Sequence, residues 1–260
     1  MNNPQDAVAF QAQLARFAHF QNPDPWSFMV MAALLLLAGM LMALAFHALL
    51  RYRFARSKKQ SESHPVYLYP IPIRIWHWTN ASLFILLLVS GLANRFALVP
   101  PKMMTTLVSF HYSCGLLLML TWSAFVIINI VTGNGRHYVV QVNGLISRLV
   151  RQARYYLSGI VRGEPHPFHA DETSKFNPLQ QVAYIGVVYA LIPLLIVTGL
   201  LSANPGWLGE ALAPLRHWIF TAHLLLAIVS LFFLFGHIYL CTTGRTPTET
   251  FKAMLDGYHR

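Results

Sequence analysis

His223 and His237 lie inside a run at 216–242, RHWIFTAHLLLAIVSLFFLFGHIYLCT, that is otherwise apolar and long enough to cross a bilayer. Their 14-residue separation corresponds on a helix to roughly 21 Å of rise, and at about 100° per residue both fall on nearly one face. Ionisable groups inside a membrane helix are costly and mark function. Neutral imidazole is an axial ligand of haem iron, so two imidazoles at two depths suit two stacked cofactors. The alternative is a pair of helix-end histidines at the headgroups, and the rest of the chain must supply or deny partner ligands.

The elements that would carry such partners follow from composition. Hydrophobic residues make up 55% of the chain and charged residues 11%, far from the balance of a soluble domain. Apolar runs at about 27–50, 75–95, 104–131, 180–202 and 216–242 predict an all-α membrane protein with five transmembrane helices. Pro193 predicts a kink in the fourth. Spans two to five would form a four-helix bundle within 64–245, and the span within 26–56 would be an addition to it. Residues 1–25 place Ala7, Phe10, Leu14 and Phe17 on one helical face, as in an amphipathic surface segment, although a weakly ordered tail is the alternative. They lack the basic start and early apolar core of a signal peptide, so the first run is expected to stay as an anchor. Residues 132–176 form a polar, basic loop, 246–260 form a polar tail, and no internal repeat stands out.

The net charge of +10 does not indicate nucleic acid, because the basic residues cluster in the loops between spans. Arg16, Arg95, Lys102 and Arg216 fall on one side of the membrane and the other 15 of the 19 Lys and Arg on the opposite side. Positive-inside bias then puts the N-terminus outside and the C-terminus in the cytoplasm.

With that topology each histidine acquires a depth. His77 opens span two at the cytoplasmic side and matches His237, while His111 in span three matches His223 nearer the outside. Two depth-matched pairs are what two bis-histidine haems need. Gly115, one turn after His111, could admit a porphyrin or simply pack helices; Arg74, one turn before His77, could meet a haem propionate or simply anchor the interface. His217 points away from the pocket of His223, and His47 lacks a depth-matched partner. His166 and His169 with Glu164 and Asp171 form only a weak imitation of a metal site. Without a CxxCH or CxxC motif, Cys114 and Cys241 suit neither covalent haem nor zinc. They lie in different spans, at positions unsuited to a disulfide.

RIWHWTNASLFILLLVSGL around His77, FHYSCG around His111 and AHLLLAIVSLFFLFGHIYL around His223 and His237 resemble the di-haem cytochrome b subunits of the formate dehydrogenase gamma and thiosulfate reductase type. The first span, TGNGRHY at 132–138 and KFNPLQQ at 175–181 look more like the thiosulfate reductase subunits. The resemblance implies two haem b groups, with His77 and His237 ligating the cytoplasmic one and His111 and His223 the periplasmic one. It implies a menaquinone site near Asn177, Gln180 and His237, although Leu179 stands where a glycine is usual and Asn177 also suits a helix cap. It further implies the inner membrane, a quinone pool, a periplasmic iron–sulfur subunit and a molybdopterin catalytic subunit. The expected role is menaquinol oxidation feeding reduction of thiosulfate or a related sulfur compound. A quinone-reducing anchor of a formate dehydrogenase or hydrogenase, a stand-alone di-haem quinone oxidoreductase, and a transporter with proton-handling histidines are the rival readings.

Overall fold

The computed structural model describes residues 25–54, 65–133, 135, 140, 142–168, 176–244 and 246–259. The expected segment 1–24, the basic cluster at 56–59 and much of TGNGRHY lie outside the described residues. Five helices are long and apolar enough to cross a membrane. They are α1 (Pro25–Phe54), α2 (Ile71–Arg95), α3 (Pro101–Val131), α5 (Pro178–Ala203) and α6 (Leu215–Cys241). Each expected span is present, extended by at most a turn at its ends.

Local chemistry sets those ends. Prolines at 101 and 178 start helices where a missing N–H costs nothing. Asn177 caps α5 in a reciprocal box: its side chain accepts from the Gln180 backbone N–H at 2.9 Å, and the Gln180 side chain accepts from the Asn177 N–H at 3.0 Å. Pro193 cannot bond the carbonyl one turn back, and the expected kink takes the form of a π-helical turn at Val187–Leu191.

The described part of 132–176 is not simply a polar loop. It contains α4, which runs from Leu145 through a π-helical turn at Tyr155–Gly159 to Arg162 and packs against the start of α5. Its facing is inverted: Gln152 is fully buried while Ile146, Val150 and Leu157 are exposed. Exposed apolar residues interleaved with Arg148, Arg151 and Arg154 suit a helix lying in the headgroup region.

The tail is also structured. Helix α7 (Glu249–Asp256) ends at Gly257, with φ of 91°, and the chain then pairs antiparallel with the segment before α2, Val66 opposite His259 and Tyr67 opposite Tyr258. The Gly257 carbonyl accepts from the Leu68 and Tyr69 N–H groups, and the Arg74 guanidinium donates to the Leu255 carbonyl.

The chain divides into two compact units, each built from pieces of all five long helices. Among the described residues, one holds those within 25–37, 78–122 and 193–231, and the other those within 38–77, 123–192 and 232–259. In the second unit the end of α1 docks on the end of α6. The Tyr239 hydroxyl donates to His47 Nδ1, His47 Nε2–H donates to the Leu157 carbonyl at 3.1 Å, and Arg51 donates to the Thr242 carbonyl at 2.7 Å. His47, without a partner on depth grounds, thus has two.

A Cβ at Gly257 would run into the Tyr67 ring and lie 2.7 Å from the Tyr69 carbonyl, and a left-handed backbone adds roughly 1–2 kcal/mol for any other residue. Gly257→Ala is therefore expected to release the C-terminal strap, read as faster proteolysis after α7. Gly186→Ala, where a Cβ meets nothing within 4 Å, should cost nothing.

Candidate functional site

Two pairs of half-buried histidines meet, one in each unit. In the first unit His111 on α3 and His223 on α6 face each other with ring centres 6.3 Å apart and planes at 81°. Both rings are held from behind by a neighbouring helix. His111 Nδ1 lies 2.8 Å from the Ser90 hydroxyl on α2, and His223 Nδ1 lies 2.9 Å from the Thr198 hydroxyl on α5.

Each hydroxyl has one proton, and it is already committed: Ser90 donates to the Leu86 carbonyl and Thr198 to the Leu194 carbonyl, both at 2.6 Å. The oxygen lone pairs are what remain for the ring, so Nδ1 must carry the imidazole proton and donate it. Nε2 then keeps its lone pair for a metal, the tautomer choice that outer-shell hydrogen bonds impose on ligand histidines. The residue after each hydroxyl is a glycine. A Cβ at Gly91 would sit 3.0 Å from His111 Cε1, and one at Gly199 would sit 3.1 Å from His223 Cε1. Sequence reasoning missed these four residues, yet VSGL at 89–92 and VTGL at 197–200 repeat one short pattern on two helices.

In the second unit His77 on α2 and His237 on α6 face each other with ring centres 6.2 Å apart and planes at 50°. His237 stacks on Phe233 at 5.6 Å and 18°, and its Nε2 lies 3.8 Å from the Cys241 thiol. Trp76, next to His77, stacks on Phe125 at 3.9 Å. Arg74 keeps a buried Nε without a hydrogen-bond partner while its Nη1 donates to the Leu255 carbonyl.

These pairs fit haem. Two metal–imidazole bonds of roughly 2 Å, with half a ring on either side, set ring centres about 6 Å apart, which both pairs match. A Cβ would meet nothing within 4 Å at Gly115, one turn from His111, or at Gly236, beside His237. No cluster of three or more His, Cys, Asp or Glu suited to a metal ion occurs among the described residues.

The remaining candidates sort by position. His217 is exposed. His166 belongs to a hydrogen-bonded cluster: the Gln152 amide donates to its Nε2 at 3.3 Å, its Nδ1–H donates to the Phe168 carbonyl, and the Tyr155 ring lies 4.8 Å away. His169 and Asp171, the other half of the weak metal-site imitation, lie outside the described residues. Cys114 and Cys241 are both free thiols, as expected from their separate spans. Asn177 is half-buried and Gln180 exposed; beyond the cap, the Asn177 amide donates to the Tyr156 hydroxyl at 3.2 Å. Burial holds the Tyr156 phenol above its usual range against the opposing hydrogen bonds from Asn177 and Gln152. It therefore stays protonated.

Five bilayer-length helices enclosing imidazole pairs spaced for iron describe a membrane cytochrome b. The chain belongs to the family described as Prokaryotic cytochrome b561, which matches residues 68–257. Haem b is that family's cofactor and electron transfer its business. The chain is also 50% identical over 260 residues, the whole of both sequences, to the Escherichia coli (strain K12) protein named "Putative cytochrome YdhU". No solved structure matches it.

The glycines beside the rings give a direct test. Gly91→Val or Gly199→Val should crowd His111 or His223, with overpacking of about 1–3 kcal/mol, and lower the haem-to-protein ratio of the purified protein. Gly39→Val, at a position with open space, should leave that ratio unchanged.

Proposed function

We propose that the chain is the membrane-anchor subunit of a multi-subunit reductase. It oxidises menaquinol and passes electrons through two b haems to a periplasmic iron–sulfur subunit, and a molybdopterin subunit then reduces thiosulfate or a related sulfur compound. The observation that carries this reading is the presence of two ring pairs at haem spacing, 6.2 and 6.3 Å, each with one member on α6. His77 and His237 would hold one haem and His111 and His223 the other. Bound there, haem supplies reversible one-electron transfer, which no side chain here offers.

The chain's own residues would do the rest. Arg74, with a donor still unused, suits a propionate on the His77–His237 side. The quinol would bind near Asn177, Gln180 and His237. Because the capping box occupies the Asn177 and Gln180 side-chain oxygens, those residues have amide protons to offer a quinone carbonyl. The protonated Tyr156 phenol beside Asn177 adds a hydroxyl that can accept or donate. The excess of 15 basic residues over four on the opposite side supports placing this cluster at the cytoplasmic face and the His111–His223 pair toward the periplasm.

Removing any one ligand should remove one haem of two. His111→Ala and His223→Ala should lose the same spectral component, and His77→Ala and His237→Ala should lose the other, with haem per protein falling by about half in each case. A wild-type ratio of one haem per chain overturns the two-haem reading. Outward electron flow runs down a membrane potential negative inside, assisted by about 2.3 kcal/mol per charge per 100 mV. An ionophore should therefore slow menaquinol-driven turnover of the assembled complex in sealed vesicles. Acceleration would overturn the outward route.

A further inference from the structure

We infer that Ser90 and Thr198 are positioning residues that lower the reduction potential of the haem held by His111 and His223. The inference rests on the haem assignment to that pair. Each hydroxyl accepts the Nδ1–H of one imidazole, at 2.8 and 2.9 Å, while donating its own proton to a carbonyl of its own helix at 2.6 Å. A hydroxyl that is already donating is polarised and becomes the better acceptor.

Drawing the ring proton away raises the basicity of Nε2, the nitrogen left for iron, as outer-shell acceptors do for other ligand histidines. A more basic, more electron-rich ligand favours the iron state of higher charge, which is the oxidised one. Low surrounding dielectric strengthens the effect. Both rings of this pair are treated alike, so two such contributions act on one centre. The glycines that follow, Gly91 and Gly199, keep each ring against its hydroxyl, since a Cβ at either would lie 3.0–3.1 Å from the ring.

The roles separate by chemistry. If the hydroxyls only held ring position, a substitution that keeps shape and removes the acceptor would leave the potential alone. Thr198→Val keeps the branched shape, Ser90→Ala removes the oxygen with little volume, and Ser90→Thr and Thr198→Ser keep an acceptor.

The experiment is an optical redox titration of the purified, haem-loaded protein, with the component belonging to this pair identified as the one absent in His111→Ala. Thr198→Val and Ser90→Ala are each expected to raise the reduced-to-oxidised ratio of that component roughly threefold at fixed potential, an upward shift of about 28 mV for one electron. The double variant should shift it further, the other component should stay in place, and Ser90→Thr and Thr198→Ser should titrate close to wild type. If the valine or alanine variants lose haem, Ser90→Cys and Thr198→Cys, with a weaker acceptor of similar size, carry the test in the same direction. Unshifted or downward potentials in haem-loaded variants overturn the inference. A His111→Ala protein that keeps every component of the wild-type titration overturns the haem assignment instead.

Discussion

A neutral imidazole has two nitrogens and one proton, and inside hydrocarbon that proton has no water to decide its place. The helices have to decide. Around His111 and His223 they do so with hydroxyls whose own protons are spent on backbone carbonyls, so that Ser90 and Thr198 can only accept. That allocation leaves Nε2 of each ring with its lone pair free, and a glycine stands beside each ring because a Cβ there would press on it.

The second pair is positioned by other contacts. His237 stacks on Phe233 and touches Cys241, and His77 lies within the first two turns of the helix whose approach is held by the C-terminal strap. That strap depends on one backbone angle, the positive φ of Gly257, and it carries the Leu255 carbonyl to Arg74. A tail with no apolar run thus reaches the segment that presents a ligand. The additional first helix has a comparable place. Through His47 and Arg51 it is tied to Tyr239 and Thr242, immediately after His237 on α6.

The departures from regular helix cluster in the same unit. The π-helical turns at Tyr155–Gly159 and Val187–Leu191 sit in α4 and α5, which pack together and bring Tyr156 to Asn177. Such turns shift the side chains beyond them by a residue, and they recur at functional positions. Pro193 accounts for the second. In the first, the Ser158 hydroxyl donates to the Arg154 carbonyl at 3.1 Å beside Gly159, a Ser–Gly pair that loosens the helical ladder.

The sequence by itself determined the five spans, because about 20 apolar residues are needed wherever a helix crosses lipid and few other segments tolerate them. It also pointed to the two facing histidine pairs, since a polar ring in such a run is costly and pairing by depth needs only helix rise and topology. Asn177 was legible as a cap because capping is a local rule. Tertiary structure alone decided the partners that act across helices: the hydroxyls of Ser90 and Thr198 behind the rings, Tyr239 beside His47, Tyr156 beside Asn177 and the tail beside Arg74. Serine and threonine in a membrane helix commonly bond their own backbone, and Ser90 and Thr198 do that as well. Their second contact depends on which helix lies opposite, a fact that no spacing along one strand of sequence contains.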